Sequence, residues 1–140
     1  MAAIARVHVL DEPDLYVLRG VTSATRYVID TRESSGTPWY LRVPAGPGTI
    51  SGRYDRIWNP LECLIAYPAT GDGDEFLDPR ESVARLAAWT IQVGAQHQFV
   101  TPELDPVRRA QSPYYWVMSS VTAHIEAGID DADLATGALP

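Results

Sequence analysis

Residues 16–43, YVLRGVTSATRYVIDTRESSGTPWYLRV, are the stretch that decides the fold. Three segments within it, at 16–19, 25–31 and 38–43, are rich in β-branched and aromatic residues. The spacers at 20–24 and 32–37 contain Gly, Ser and Thr, which are typical of turns. The stretch therefore predicts a three-stranded antiparallel meander.

Side chains alternate between the two faces of a strand, so the meander divides its residues into two sets. One set predicts a core face: Tyr16, Leu18, Tyr27, Ile29, Trp39, Leu41 and Val43. The other set is polar: Arg19, Arg26, Asp30, Tyr40 and Arg42. On a solvated face, Asp30 would pair across strands with Arg26 or Arg42. The alternative is a docking face for an anionic group or an acidic partner.

The length of 140 residues predicts a single domain at 1–128, followed by an acidic tail at 129–140. The net charge of −7 argues against direct nucleic-acid binding and suits a protein partner that is basic. Apolar runs such as residues 64–67 are too short to span a membrane, and residues 1–6 lack the apolar core of a signal peptide. We therefore expect no membrane contact and a cytoplasmic location, or a virion or host cytoplasm if a phage encodes the protein.

The basic residues are all arginine, alanine is abundant and Asn59 is the only asparagine. Without lysine, the chain has neither a Schiff-base lysine nor a phosphate-loop lysine. In composition the chain resembles small proteins of high-GC actinobacteria and their phages. The resemblance implies an accessory protein, such as a host-interaction factor, an immunity-like protein or a virion component, and it assigns no functional residue.

The first half of the chain also predicts strands at 4–10 and 61–67, the second of them buried, with Cys63 filling the core. Between the meander and this buried strand, residues 44–60 form a predicted loop. Loops with clustered charged and aromatic residues are frequent at binding sites. This loop supplies an alternative site: Arg53, Tyr54, Asp55, Arg56 and Trp58.

The second half predicts two main helices. Asp78-Pro79-Arg80-Glu81 is typical of a helix start, and the apolar spacing that follows favours a helix to residue 93, ended by Gly94. Residues 89–100 also alternate around Gly94 as a hairpin would, but we prefer the helix. Ser112-Pro113 predicts a second helix to about residue 127, whereas 101–102 and 105–106 predict short turns.

No motif predicts a metal, a cofactor or catalysis. The acidic loop at 70–78 fails the spacing of a calcium loop, and the three histidines, His8, His97 and His124, lie on different predicted elements. The best catalytic grouping is Arg53, Asp55 and Arg56 with His97, which follows no known spacing.

The sequence thus predicts an α+β fold, a mostly antiparallel sheet of four to five strands packed on one face by two main helices. The predicted function is a non-enzymatic protein-binding module. One alternative is a small enzyme or ligand-binding domain that uses the 53–58 loop. Another is an acidic regulator or nucleic-acid mimic.

Overall fold

The computed structural model describes residues 4–21, 24–32, 37–45, 52, 54–68 and 87–128. These residues form eleven strands and one short helix. The strands are β1 (Arg6–His8), β2 (Leu15–Gly20), β3 (Arg26–Asp30), β4 (Trp39–Val43), β5 (Asn59–Pro60), β6 (Cys63–Pro68), β7 (Ala87–Ala88), β8 (Thr90–Gln92), β9 (Ala95–Pro102), β10 (Tyr114–Met118) and β11 (Thr122–Ala127). The helix, α1 (Pro106–Gln111), lies between β9 and β10.

The strands form three antiparallel sheets. A five-stranded sheet has the order β11-β2-β3-β4-β5, and a four-stranded sheet has the order β10-β9-β6-β7. The remaining strands, β1 and β8, pair with each other. The predicted meander is therefore confirmed as β2, β3 and β4, and the predicted strands at 4–10 and 61–67 are confirmed as β1 and β6.

The two larger sheets pack face to face over one apolar core. Tyr27 and Tyr40, from β3 and β4, stack on Phe99 of β9 with ring centroids 5.2 and 4.5 Å away. Such ring pairs stabilise a core by about 0.5–1.5 kcal/mol beyond the area that they bury. The β1–β8 pair adds Val7 and Ile91 to the same core.

The predicted α+β fold with two main helices is wrong, because a second sheet covers the face that the helices were expected to cover. Residues 87–93, assigned to the first helix, contain β7 and β8. Gly94, with φ of +89°, turns the chain from β8 into β9, so residues 89–100 form two strands as the hairpin alternative expected. The two strands do not form a hairpin, because β8 pairs with β1 whereas β9 pairs with β6 and β10. The predicted cap at 78–81 lies outside the described residues.

The second predicted helix is also wrong, since residues 113–127 contain β10 and β11. The turn expected at 105–106 is instead the start of α1, where the Asp105 side chain accepts hydrogen bonds from the N–H groups of Val107 and Arg108. In the part of the chain that the structure describes, no helix is long and apolar enough to cross a membrane.

Candidate functional site

The structure divides the polar set that the sequence placed on one face of the meander. Three members share the outer face of the five-stranded sheet: Arg19, Arg26 and Asp30. The other two lie on the core face, because Tyr40 is opposite Ile29 and Arg42 is opposite Tyr27. The prediction of a single polar face is therefore wrong for β4, whose alternation is shifted by one residue.

The outer face also pairs its charges differently from the expectation. Asp30 accepts hydrogen bonds from Arg32, with Nη2 at 2.9 Å, and not from Arg26 or Arg42. The hydrogen bond from the Arg32 side chain lowers the pKa of Asp30. Arg19 pairs with Glu126 at 3.1 Å. Between these two pairs the face is apolar, with buried residues packed against Leu41: Leu15, Val17 and Val28.

On the core face, Arg42 forms an ion pair with Asp55 from the 54–58 segment. Arg42 Nη1 lies 2.5 Å from Asp55 Oδ2, and the two side chains are 14% and 9% exposed. The same carboxylate oxygen accepts the N–H of Gly52 at 2.6 Å. Although burial disfavours the charged guanidinium, the hydrogen bond to Tyr27 and the neighbouring charges hold the pKa of Arg42 above its usual value. Asp55 is thus directed into the protein.

Tyr54 attaches the same segment to the corner between β9 and α1. Its hydroxyl donates to Glu103 Oε2, which also accepts the N–H of Asp105 at 3.3 Å. Its ring meets the ring of Tyr115 edge-on, with centroids 5.1 Å apart. Because these donors contact its carboxylate, Glu103 is only 3% exposed without being an isolated buried charge.

The alternative site predicted at 53–58 is therefore not one open cluster. Tyr54 and Asp55 make internal contacts, whereas Trp58 is 40% exposed. Arg56 adopts a φ of +67° and donates from Nη2 to the carbonyl of Pro44 at 2.9 Å. Arg53 lies outside the described residues. The structure brings Tyr54 and Asp55 together with Arg42 and Tyr40 only as a packed interior.

Tyr40 is the one side chain of this interior whose hydroxyl has no hydrogen-bond partner among the described residues. The side chain is 3% exposed, and its burial raises its pKa well above 10. Asn59 is comparable, because its Oδ1 is buried without a partner while its Nδ2 donates to the carbonyls of Tyr54 and Ile57. The cluster is a polar core that is not fully satisfied.

A groove of about 420 Å³ lies between α1 and β10, and sequence reasoning missed it. Its walls include the buried Glu103, the cation Arg108 and the aromatic residues Tyr114, Tyr115 and Trp116. Tyr114 and Trp116 are 50% and 51% exposed, although they are large aromatic residues. Exposed aromatic side chains beside a concave surface are typical of binding sites.

The main chain of β10 is open along this groove. The carbonyl of Pro113 accepts a hydrogen bond from the N–H of Glu103, and the N–H of Ser119 donates to the carbonyl of His97. The main-chain groups of Pro113 and Ser119 therefore face β9. Because these directions alternate along an antiparallel strand, Tyr114, Trp116 and Met118 direct their N–H and C=O groups away from β9. Within the described residues, only the Tyr114 carbonyl has a partner there, the Ser112 hydroxyl at 3.1 Å.

The signal for this edge was present in the sequence. Residues 114–118, YYWVM, combine aromatic and β-branched residues, and their alternate members face the core or the solvent. The preceding Ser112-Pro113 pair favoured a helix, and five residues are too few for their hydrophobic period to distinguish a strand from a helix. Arg108 and the edge groups of Trp116 were therefore not expected as site residues.

The described residues contain no group of three or more His, Cys, Asp or Glu side chains that could hold a metal ion. Cys63 is partly buried, and this burial raises the pKa of its thiol. His97, grouped in the sequence with Asp55, instead hydrogen-bonds residues of β8 and β11. Comparison with protein-family models, with curated proteins and with solved structures found no match for this chain.

Proposed function

We propose that the chain is a non-enzymatic protein-binding module, and that it accepts an extended segment of its partner along the open edge of β10. The observation that carries this proposal concerns Trp116 and Met118, whose outward main-chain groups have no partner within the described residues and lie next to the half-exposed indole of Trp116. An extended segment can add to such an edge as a further strand of the sheet.

The energetics of such an addition favour a modest, side-chain-dependent affinity. Each main-chain hydrogen bond replaces a bond to water, so it contributes only about 0.5–1.5 kcal/mol. The remaining affinity has to come from alternate side chains of the segment that pack on Trp116 and Tyr114. Tryptophan and tyrosine are frequent energetic hot spots, because a large ring loses water without losing much conformational freedom.

Within the described residues, β10 itself carries few of the devices that prevent strand addition. Natural edge strands are protected by lysine, proline or bulges, and residues 114–118 contain neither lysine nor proline. They also pair with β9 in an unbroken register. Tyr115 is held by the Tyr54 ring and by the Thr101 hydroxyl, which donates to its carbonyl at 3.2 Å. The edge is therefore already extended before a partner arrives, which lowers the entropy cost of binding.

The two alternative functions have less support from the described residues. An enzyme that used the 53–58 loop would need an accessible acid or base, but Asp55 is paired with Arg42 inside the protein. A nucleic-acid mimic would need carboxylates that face solvent in a row, whereas Glu103 is buried and Glu126 pairs with Arg19.

A displayed library of random peptides, selected on the wild-type protein, would test the proposal. Trp116→Ala should weaken binding of the selected peptides at least tenfold, which is about 1.4 kcal/mol. Trp39→Ala is the matched control, because Trp39 is 38% exposed but lies on the five-stranded sheet. Isothermal titration calorimetry would measure both affinities.

Methylation of single peptide amides would test the main-chain pairing directly. Only every second amide of an added strand faces its neighbour, so we expect methylation to reduce binding with a period of two residues. Failure to select any peptide, equal losses in the two tryptophan variants, or binding that tolerates every methylation would each contradict the proposal.

A further inference from the structure

We propose that the partner segment carries a carboxylate, which binds Arg108 in the groove beside β10. This inference rests on the proposed function, because it assigns the chemistry of the segment that is added there. It names an acidic, extended segment of another protein as the occupant.

Arg108 is the cation of the groove that is available for a partner. Its main chain is used within α1, where its N–H donates to Asp105 Oδ1 and its carbonyl accepts the N–H of Ser112. Its guanidinium makes no hydrogen bond or ion pair with the described residues, and no residue of α1 is buried. The neighbouring Arg109 differs, since its Nε donates to the carbonyl of Glu103 at 2.8 Å.

The carboxylate of the groove, Glu103, already accepts hydrogen bonds from within the protein. Glu103 accepts hydrogen bonds from the Tyr54 hydroxyl and from the N–H of Asp105, and it is 3% exposed. An incoming segment therefore meets the positive charge of Arg108, together with the side chain of Gln111 and the Trp116 ring. A guanidinium binds a carboxylate through two parallel hydrogen bonds, and loss of water beside an aromatic ring strengthens this interaction.

The net charge of −7 would by itself favour a basic partner. Exposed charges are screened beyond a Debye length of about 8 Å at physiological ionic strength, so the groups within the groove decide what the segment meets at contact. Here those groups select against a lysine or arginine at the position that faces Arg108, and they favour aspartate or glutamate.

A charge-exchange experiment on a selected peptide tests this assignment. Each side chain of the peptide is replaced in turn by Glu, Gln and Lys, and the affinity is measured for wild type and for Arg108→Gln and Arg108→Glu. We expect one position where Glu→Gln weakens wild-type binding at least fivefold and leaves binding to Arg108→Gln within twofold. We also expect the peptide with Lys at that position to bind Arg108→Glu more tightly than wild type. Arg6→Gln, on β1, is the control variant and should behave as wild type.

The outcomes separate the two proposals. If peptides depend on Trp116 and on alternate amides but show no acidic position coupled to Arg108, the carboxylate assignment is wrong and the strand-addition function stands. If binding does not depend on Trp116, the proposed function fails first. A wild-type dimer that Trp116→Lys separates into monomers would make a second copy the occupant of the edge, and it would also overturn the assignment.

Discussion

At the scale of single residues, Arg42 and Asp55 show how a charged pair can be a structural element instead of a site. Both charges are largely removed from water, and the cost of that removal offsets most of their attraction. The intact pair therefore adds little net stability. Removing one member is different, because it leaves an isolated charge in the same place.

We expect Asp55→Asn to lower the free energy of unfolding by roughly 3–5 kcal/mol, since it removes the buried carboxylate that pairs with Arg42. Asp30→Asn is the control, because Asp30 also pairs with an arginine but the side chains are 20% and 42% exposed. Its loss should stay below about 1 kcal/mol. Urea unfolding would measure both, and equal losses would show that Arg42 and Asp55 are not effectively buried.

A second comparison concerns two buried tyrosines, one with a partner for its hydroxyl and one without. Tyr40→Phe should leave stability unchanged or raise it by up to about 1 kcal/mol, because it removes an unpaired hydroxyl. Tyr67→Phe should lower stability by about 1–3 kcal/mol, because the Tyr67 hydroxyl donates to Gln98 Oε1 at 2.8 Å and the substitution removes this donor from a buried acceptor. Thermal and urea unfolding should show a loss of stability for Tyr67→Phe and none for Tyr40→Phe. A marked loss of stability for Tyr40→Phe would indicate that the Tyr40 hydroxyl has a partner.

At the scale of elements, His97 connects all three sheets. It lies on β9, its Nε2 accepts the N–H of Gln92 on β8 at 3.0 Å, and its Nδ1 is 3.0 Å from the hydroxyl of Thr122 on β11. The N–H of Gln92 fixes the proton of the neutral ring on Nδ1, which then donates to Thr122. Protonation of Nε2 would place two donors against each other in a fully buried position.

Burial lowers the pKa of His97 from 6.5 to about 4. Above pH 6.5 neither the folded nor the unfolded chain is protonated at this histidine, so its contribution to stability is intact. As the pH falls from 6.5 to about 4, the unfolded chain binds a proton that the folded chain refuses, and we expect a loss of about 3 kcal/mol. His97→Gln should flatten this part of the profile, measured by urea unfolding at each pH, whereas His124→Gln, exposed on β11, should not. Parallel profiles for wild type and His97→Gln would refute this assignment.

The same local pattern has two outcomes in this chain, which explains one limit of the sequence prediction. Asp105-Pro106 starts a helix, as a capping residue before proline predicts. Ser112-Pro113 has the same pattern but precedes β10, because pairing with β9 along residues 114–118 outweighs the local preference. A propensity of a few tenths of a kcal/mol per residue cannot compete with a ladder and a buried face.

The meander was predictable because its three strands alternate clearly and are joined by short spacers. The face of β4 was not, since the residue pattern does not fix the register of a strand, and a shift of one residue exchanges its two faces. Tyr40 and Arg42 were therefore named as exposed residues, although they are internal. Tyr54 and Asp55 were named as site residues, but their contacts are structural. Tyr54 packs on Tyr115 of the edge strand β10, and Asp55 pairs with Arg42 of β4.

At the scale of the whole molecule, the connection between distant strands limits when the fold can form. The strand β11 pairs with β2, and the Arg19–Glu126 ion pair joins residues 107 positions apart. Likewise β1, at residues 6–8, pairs with β8, at residues 90–92, so these two strands are also far apart in the sequence. Such non-local pairing gives a high contact order, for which folding times of about milliseconds to seconds are usual. Stopped-flow refolding monitored by tryptophan fluorescence should fall in this range, and refolding in microseconds would contradict it.

The pairing of β11 with β2 also has a consequence during synthesis on the ribosome. The meander emerges early, but the edge of β2 has no neighbour until residue 127 has left the exit tunnel. Nascent chains arrested before that point should be cut by protease within the meander, and chains tethered to the ribosome through an added C-terminal linker that frees residue 127 should resist. Until then the chain contains an incomplete sheet, and the unpaired edge of β2 can pair with other unfolded chains. Translation speed and chaperone supply should therefore influence the yield of this protein.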